Sequence, residues 1–489
     1  MATLLHTRCV THLSAVDPLD VLEHLAGTFG GDMALLHSGT GRGQSVLGFG
    51  QLCTLSIDAQ GVPSVCFPPA LGTLLPPPNE DDPLGVLQHV IAAAPFDAPH
   101  PLVGWLGFIS YDIGRTLEAI PSHAVDELRW PLLFWSLYAN YLVFDQVAKT
   151  VAVFTVEEEA RDPAGVVEML EMVRSKAQCA AMKHAQRGPC PTEHGTQTRS
   201  GGAAPVIVEE QAAEAFCEKV RRVQEYISAG DIYQANLAQR WKVRTAESPV
   251  RTFRRLCKES PAHYAAYLRI KTPAGGQLVE RHILSASPEL FLTIADGRAV
   301  TRPIKGTRPR DLHDAGRDGA LREELLASAK DQAELAMIVD LLRNDLGRVA
   351  QFGSVRVTEA RAMEAHPTVW HTVATIEADL RRDVKLAEIL AAVCPGGSIT
   401  GAPKIRAMQI IEELEGFRRA LYCGNIGVIS PDARSMALNI AIRTILMQEG
   451  MAYVYAGGGV VADSDPQLEY EETLHKAAAM FRALGINRK

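Results

Sequence analysis

Long hydrophobic runs are absent from this 489-residue sequence. No uninterrupted apolar stretch approaches the ~20 residues that a membrane-spanning helix needs, so we expect no membrane contact. The first residues, MATLLHTRCVTHLSAVD, lack the basic start and long apolar core of a secretory signal peptide. Together these absences predict a cytoplasmic globular protein.

Positive charge is also scarce. The formal net charge is −8 and the sequence contains no dense run of Lys and Arg, which argues against a nucleic-acid partner. The nine cysteines are dispersed and form no CxxC pair. Such a set is consistent with reduced thiols and excludes both a disulfide framework and a cysteine-based zinc site.

The remaining composition is that of a large soluble protein, with 47% hydrophobic and 22% charged residues. Strand-like and helix-like segments follow one another without strict alternation, which favours an α+β fold over a doubly wound sheet. The stretch 181–205 is polar and rich in Gly, Pro, Ser and Thr, and is predicted to be a flexible linker. It separates an N-terminal region, 1–180, from a second domain, 206–489.

Several segments have clear periodicity. Residues 130–156 predict two strands joined by a turn, and residues 232–243 predict another strand. Residues 322–350 are rich in Ala, Leu, Glu and Lys and predict one long helix. Asp465 and Pro466 suit the N-cap and first turn of a final helix.

Two pairs of carboxylates lie on predicted helices. Asp331 and Glu334 are three residues apart, as are Glu469 and Glu472, so each pair shares one helical face. Four oxygen donors without His or Cys suit a hard cation such as Mg²⁺. Acidic pairs on helices are more often solvated faces, and the spacing alone does not bring the two helices together.

Other segments offer groups that bind anions. Gly457, Gly458 and Gly459 would allow close backbone approach to an anion or would simply form a tight turn. Arg443 is a lone cation in a predicted apolar strand and would need a carboxylate partner if it is buried. His371 lies among β-branched residues, where a hydrogen-bonded core histidine is the usual role. The glycine-rich segment 395–404 lacks the Lys-Ser/Thr pair of a phosphate-binding loop, which excludes a nucleotide site there.

Lys305 lies in TRPIKGTRPR, residues 301–310, where proline and glycine predict a turn-like loop. A loop lysine is usually a solvated surface charge. If it were buried, its pKa would fall and a neutral, nucleophilic amine would become available. Arg302 and Arg308 would lower that pKa further if they lay close.

A set of long motifs resembles the chorismate-utilising enzymes, in the same order and spacing. The motifs are SASPELF (285–291), PIKGT (303–307), AELAMIVDLLRNDLGRV (333–349), PGGSITGAPK (395–404), YCGNIGV (422–428), NIAIRT (439–444) and AGGGVVADSDPQLEYEET (456–473). The resemblance covers residues 206–489 strongly and the first half more loosely. It implies the fold of anthranilate synthase component I, with large antiparallel sheets packed together and flanked by helices.

The resemblance also implies roles for individual residues. Glu334 and Glu472 would hold Mg²⁺ on the ring carboxylate of chorismate, with Asp331 and Glu469 as outer or additional ligands. Glu289, in SPELF, would be the general acid that helps the 4-hydroxyl leave. The residues that would bind substrate are Gln234, Thr307, His371, Ser398, Tyr422, Arg443, Gly457, Gly458, Gly459 and Lys476.

Three positions favour one branch of the family. One of them is GGSITGAPK (396–404), which resembles the aminodeoxychorismate synthases more than the AGTxSGAPK pattern of anthranilate synthases. Isochorismate and salicylate synthases carry a lysine where this chain has Gln234, and glutamine cannot remove a proton from water. The aminodeoxychorismate synthases carry the lysine of PIKGT, here Lys305, where anthranilate synthases usually read PIAGT. The segment ADSDPQLEYEET resembles anthranilate synthases instead, so anthranilate synthase component I stays open as the alternative.

The resemblance implies partners as well. No cysteine lies in a G-x-C-x-G nucleophile turn, so ammonia would come from a separate glutamine amidotransferase subunit. Ser38, in LLHSG, resembles the tryptophan-binding site of the family, which would be regulatory or merely structural here. A catalytically silent, ligand-binding paralogue is the remaining alternative, and the presence of both acidic pairs, Glu289 and Lys305 argues against it.

Overall fold

The computed structural model describes residues 6–14, 16–41, 43–66, 82–94, 96, 98–157, 165–175, 204–274 and 276–488. The predicted linker 181–205 lies almost entirely outside these residues. Within the described segments, no helix combines the length and the apolar character needed to cross a membrane.

The described chain contains eleven helices and twenty-one strands. The helices are α1 (Pro18–Thr28), α2 (Pro83–Ala93), α3 (Gly114–Leu117), α4 (165–175), α5 (Ala213–Ser228), α6 (Pro249–Glu259), α7 (Ala315–Ala327), α8 (Ala329–Gly347), α9 (Leu386–Val393), α10 (Lys404–Glu415) and α11 (Pro466–Ala483). The first ten strands are β1 (His6–Ser14), β2 (Met33–His37), β3 (Gln44–Ile57), β4 (Pro63–Cys66), β5 (Trp105–Ile109), β6 (Leu133–Asp145), β7 (Thr150–Glu157), β8 (Val206–Glu209), β9 (Gln234–Arg244) and β10 (Tyr264–Ala274). The others are β11 (Gln277–Ser287), β12 (Leu290–Ala295), β13 (Arg298–Arg302), β14 (Ile304–Pro309), β15 (Arg356–Ala365), β16 (Val369–Asp379), β17 (Gly401–Ala402), β18 (Asn425–Ile429), β19 (Met436–Asn439), β20 (Thr444–Gln448) and β21 (Met451–Val460).

Two antiparallel ladders branch from the long strand β6. One ladder runs β1-β7-β6-β3-β2-β10-β11-β20-β21-β9, with β8 and β17 on the far edge of β9. The other runs β6-β5-β18-β19-β12-β13-β16, with β14 following β13 along one edge of β16 and β15 on the other. The expected α+β class, with large antiparallel sheets flanked by helices, is confirmed.

The two halves of the sequence contribute to the same sheets. Strand β2 pairs with β10, and β5 pairs with β18, so each ladder contains strands from both 1–180 and 206–489. The division of the chain at the 181–205 linker stays a prediction.

Helices cover the sheets with apolar faces. Helix α11 packs on β21 and on the neighbouring β9, where its Phe481 meets Trp241 of β9 edge to face at 5.4 Å between ring centroids. Helices α8 and α9 share a core with β12 and β16, to which Ile338 and Leu390 contribute. Helix α8 lies over β14 and β16, and α11 lies over β21. Polar residues of both helices therefore face the same cavity.

Several predicted elements need correction. The single helix predicted over 322–350 is two helices, which meet at Ser328 because its hydroxyl accepts the N–H of Asp331 and caps α8. The predicted loop 301–310 is strand β13 followed by strand β14, separated by Pro303. The two strands predicted over 130–156 are present as β6 and β7. Asp465 caps the final helix as predicted, accepting the N–H groups of Gln467 and Leu468.

Candidate active site

A cavity of about 870 Å³ lies between the ladders, and it is lined by the first turns of α8 and by one side of α11 from Glu469 to Arg482. Most of the predicted site residues line it: Glu289, Lys305, Thr307, Asp331, Glu334, His371, Ser398, Tyr422, Arg443, Gly457, Gly459, Glu469, Glu472 and Lys476. These residues are up to 187 positions apart in the chain, and the fold brings them into one space. Ser38, directly after β2, is not among the lining residues, and its backbone N–H donates a hydrogen bond to Ser45 Oγ at 3.1 Å.

Lys305 is half-buried in β14 and its side chain points into this cavity. A Cβ built on Gly459, across the cavity on β21, would lie 3.5 Å from Lys305 Nζ. Burial lowers the pKa of Lys305, while the carboxylates of Glu334 and Glu289 act in the opposite direction. The lysine therefore has the desolvated surroundings that make a neutral amine accessible.

The groups that act most strongly on the pKa of Lys305 include neither Arg302 nor Arg308. Arg302 pairs with Glu364, and Arg308 pairs with Glu324 at 2.7 Å. The cation that lowers the pKa of Lys305 is Lys476, which repels the protonated amine. Arg308 Nη2 also lies 3.6 Å from Asp331 Oδ2, so Arg308 places positive charge beside one of the predicted metal ligands.

Gly306 sets the direction in which Lys305 points. It is an extra residue in β14 between the pairs Lys305–Thr372 and Thr307–His371, and its φ of +82° lies in the left-handed region. A bulge of this kind bends a strand and redirects the adjacent side chain. A Cβ at this position would also lie 2.8 Å from the side chain of Leu325 and 3.0 Å from Asp331 Cγ.

We expect Gly306→Ala to lower the free energy of unfolding by about 1–3 kcal/mol, because the backbone conformation is unfavourable for alanine. We also expect it to lower turnover, because the clash displaces the strand that carries Lys305. Gly297→Ala is the matched control, since Gly297 also has a positive φ (+74°) but has open space around its Cβ position. Thermal unfolding and steady-state kinetics on both variants measure the two effects. Equal activity in the two variants would contradict a role for the bulge in orienting Lys305.

Glu289, in the turn between β11 and β12, is the most enclosed acid facing Lys305. It is 5% exposed, and Ser398 Oγ donates to its Oε1 at 3.0 Å. Burial raises the pKa of Glu289 to about 7, although the hydrogen bond from Ser398 and the charge of Lys305 both oppose the shift. The group therefore keeps a proton close to neutral pH, which is the property that a general acid needs.

The two acidic pairs converge although they lie on different helices. Burial raises the pKa of Glu334, and the nearby carboxylates of Asp331 and Glu469 raise it further. Burial also raises the pKa of Glu469, and Glu472 adds to that shift. Burial acts on Glu472 too, but Lys476, at 2.6 Å, outweighs it and lowers its pKa. The acids thus form one electrostatic cluster.

This cluster has the chemistry of a site for a hard divalent cation. All of its donors are carboxylate oxygens, and Asp331 Oδ2 is buried and makes no hydrogen bond within the described chain, although Arg308 Nη2 lies 3.6 Å away. Among the described residues, however, no three His, Cys, Asp or Glu side chains are arranged as a metal site. Lys330, whose Nζ lies 3.7 Å from Glu469 Oε1, provides part of the balancing charge.

The three glycines lie inside strand β21, paired with β9, and not in a turn beyond it. The absence of side chains at these glycines leaves room for the neighbouring side chains. A Cβ on Gly458, for example, would lie 3.1 Å from Glu469 Oε2. A Cβ on Gly459 would lie 2.1 Å from Gln234 Nε2. Gln234 is 1% exposed, and neither polar atom of its amide makes a hydrogen bond within the described chain.

Cationic and aromatic groups also line the cavity. The sequence predicted Arg443 in a strand, but it lies in the connection between β19 and β20, with φ at +50°. Tyr422 is buried and stacks on Tyr455 at 5.1 Å between ring centroids. Burial lowers the pKa of His371 to about 3, and Thr307 Oγ1 lies 2.9 Å from its Nδ1. The imidazole is therefore neutral at physiological pH.

Some residues of the site were not found from the sequence. Lys330 is the second residue of α8 and belongs to no recognisable motif. Its place in the site is evident only from its proximity to Glu469 in the structure. Tyr455 and Asn236 also line the cavity. Their positions on β21 and β9, beside the glycines and Gln234, are the signal that could have identified them.

Comparison with known proteins gives a consistent picture. The profile of the family described as chorismate binding enzyme matches residues 32–482. Aminodeoxychorismate synthase component 1 of Klebsiella aerogenes is 38% identical over 408 residues, which cover 82% of this chain and 83% of that protein. Anthranilate synthase component 1 of Thermus thermophilus is also 38% identical, over 388 residues and 79% of each chain.

Solved structures show the same relationship. Anthranilate synthase component I from Streptococcus pneumoniae superposes with a TM-score of 0.70 at 29% identity, over 90% of this chain and 92% of that one. The menaquinone-specific isochorismate synthase MenF from Escherichia coli, at 17% identity, gives a TM-score of 0.65 over 98% of this chain and 95% of its own, which supports the fold alone.

Proposed function

Because the chain belongs to the family of chorismate binding enzymes, we propose that it converts chorismate and ammonia to 4-amino-4-deoxychorismate, as an aminodeoxychorismate synthase component 1. The observation that carries the proposal is the Lys305 amine, which points into the cavity between Glu289 and Glu334. An amine there can serve as a nucleophile that an enzyme with alanine at this position would lack. The product would feed 4-aminobenzoate and folate biosynthesis.

In the proposed reaction, the neutral amine of Lys305 attacks C2 of chorismate. The ring double bonds shift, the C4–O bond breaks, and Glu289 donates its proton so that the 4-hydroxyl leaves as water. Ammonia then adds at C4, the bond between C2 and the lysine nitrogen breaks, and the proton released by the new amine returns to Glu289. Lys305 and Glu289 thereby regain their starting protonation states.

The other walls of the cavity would hold the substrate. Arg443, Tyr422 and Lys476 offer a guanidinium, a phenol and an ammonium for the enolpyruvyl carboxylate. Glu334 and Glu472, with Asp331 and Glu469, would hold Mg²⁺, which supplies positive charge to the ring carboxylate and a fixed orientation for the ring. Gln234 would face the C2 side of the ring with an amide that cannot act as a base.

Glu334→Ala is expected to raise the Mg²⁺ concentration needed for half-maximal activity by at least ~10-fold, because one carboxylate is lost from the cluster. Asp340→Ala is the control, since Asp340 lies on the same helix, is 81% exposed and pairs only with Arg343. Titration of chorismate turnover with Mg²⁺ measures the effect in both variants. Equal Mg²⁺ dependence in the wild type and Glu334→Ala would contradict the assignment of Glu334 as a ligand.

Ammonia would reach the enzyme from a glutamine amidotransferase subunit. The component 1 names of the relatives support this, because they describe one part of a larger assembly. Free ammonia at high concentration should then replace the partner. A tryptophan pocket near Ser38 remains a proposal. The hydrogen bond between Ser38 and Ser45 is compatible with such a pocket but is no evidence for one.

Anthranilate synthase component 1 is the second candidate, because relatives with that name reach the same 38% identity. The two products separate the candidates. Incubation with chorismate, Mg²⁺ and ammonia should give a product that forms 4-aminobenzoate only when an aminodeoxychorismate lyase is added. Direct appearance of fluorescent anthranilate, with pyruvate in equal amount, would overturn the proposed function, and no turnover at all would favour a silent paralogue.

A further inference from the structure

Arg419 is a fully buried cation that lies just outside the cavity. It is 1% exposed and forms an ion pair with Glu415, at the end of α10, in which Nη2 lies 2.6 Å from Oε1. Its Nε donates to the other oxygen of Glu415 at 2.9 Å. A buried ion pair of this kind gains little net stability compared with apolar side chains of similar size, so its other contacts are of interest.

The guanidinium donates to two walls of the cavity. Nη1 donates to the carbonyl oxygen of Ile399 at 2.9 Å, and Nη2 donates to that of Asn236 at 2.5 Å. Ile399 directly follows Ser398, whose hydroxyl donates to Glu289. Asn236 lines the cavity on β9, two residues after Gln234. One side chain therefore fixes the loop that carries Ser398 and the strand that carries Gln234.

The ion pair also reaches two further elements. The guanidinium carbon lies 4.6 Å from the ring centre of Tyr111 and 5.9 Å from that of Tyr422. Glu415 Oε1 accepts the backbone N–H of Ala238, which is on β9 as well. Arg419 and Glu415 thus connect α10, β9, the loop that carries Ser398 and the ring of Tyr422, although neither of the two lines the cavity.

We propose that Arg419, held by Glu415, is a positioning residue that aligns Ser398 with the carboxyl group of Glu289 and sets the spacing between the Ser398 loop and β9. The role in turnover rests on the proposed function, in which Glu289 is the general acid. The alignment itself is a property of the protein alone. A lysine at 419 would keep the charge beside Glu415 but could not donate to both carbonyl oxygens in the fixed geometry of a guanidinium.

Arg419→Lys is therefore expected to lower kcat by about 10- to 100-fold, since a small misplacement of a catalytic group has effects of that size, with a smaller change in KM. Arg115→Lys is the matched control. Arg115 also pairs with a glutamate of α10, Glu412 at 2.9 Å, and donates to the backbone carbonyl of Pro121, and none of these three residues lines the cavity. It should lower thermal stability and leave kcat within about 2-fold of the wild type.

A second measurement does not depend on turnover. The pKa of the Glu289 carboxyl can be followed by carbon-13 NMR, with Glu289→Gln identifying the signal. Lys305, Lys476, Arg443 and Cys423 are the ionisable groups that interact with Glu289 and they are unchanged in Arg419→Lys. Loss of the Ser398 hydrogen bond should raise the pKa of Glu289, as Ser398→Ala would, because that bond stabilises the carboxylate.

The outcomes are distinct. A raised Glu289 pKa in Arg419→Lys, absent from Arg115→Lys, supports the proposal, and Glu415→Gln serves in the same comparison if Arg419→Lys does not fold. An unchanged Glu289 pKa in Arg419→Lys or Glu415→Gln overturns it, whether or not the wild type turns over chorismate. A wild type that fails to consume chorismate contradicts the proposed function and leaves the NMR comparison to decide the alignment.

Discussion

Replacement of Lys305 by alanine is expected to reduce formation of 4-amino-4-deoxychorismate by at least ~10³-fold, because it removes the group that forms the covalent intermediate. The size of the effect follows from the position of the amine, which is enclosed by Glu289, Glu334 and Lys476 in the cavity. Water or ammonia in its place would have to attack without being tethered to the enzyme. Turnover with saturating free ammonia measures the loss directly.

The covalent step can be observed separately. Wild-type protein incubated with chorismate and Mg²⁺, but without ammonia, should acquire the mass of chorismate less one water, and peptide mapping should place the adduct on Lys305. Lys242→Ala is the control, since Lys242 is half-buried, pairs with Glu127 and does not line the cavity. A Lys305→Ala enzyme that keeps its ammonia-dependent rate would eliminate the covalent role and make anthranilate synthase chemistry the better candidate.

Much of the site could be predicted from the sequence because the family motifs are long and local. SPELF, PIKGT and the glycine-rich segment of β21 each carry their functional residues within a few positions. The sequence did not predict that Asp331 and Glu334 converge with Glu469 and Glu472. Their convergence depends on where α8 and α11 pack against β14 and β21, and helical spacing contains no information about contacts between elements that are over a hundred residues apart.

The conformations of Lys305 and Arg443 were predicted incorrectly for related reasons. Proline and glycine around Lys305 indicated a loop, but β14 lies beside β16 and accommodates Gly306 as a bulge, so tertiary pairing outweighed local preference. Arg443 is followed by strand-forming residues, yet its φ of +50° places it in a turn. Positive φ at a non-glycine residue gives no signal in the sequence.

The network around Arg419 was missed because its contacts are to backbone oxygens. Ile399 and Asn236 accept through their carbonyl groups, so their side chains are not constrained by the arginine. Only the pair Glu415 and Arg419, four residues apart, hints at an interaction in the sequence, and such pairs are usually exposed. The difference is burial, which depends on the packing of α10 against β9.

Replacement of Glu289 by glutamine is expected to lower kcat by about 10²- to 10⁴-fold, because glutamine keeps the shape of the side chain but has no proton to donate to the leaving hydroxyl. The pH dependence gives the sharper test. In the wild type Lys305 must be neutral and Glu289 protonated, so the rate should fall at low pH, where Lys305 is protonated, and fall again at high pH, where Glu289, with its pKa raised to about 7, has lost its proton.

The two limbs of this pH profile should respond differently to substitution. In Glu289→Gln the falling limb should disappear because the glutamine amide does not ionise, and the rising limb, which depends on deprotonation of Lys305, should remain. In Ser398→Ala the falling limb should remain but move to higher pH, since a hydrogen bond that lowers the pKa of Glu289 is lost. A falling limb that persists unchanged in Glu289→Gln would show that another group donates the proton. Because Lys305 and Glu289 interact, the limbs describe the pair, and only the comparison of both variants assigns each limb to one residue.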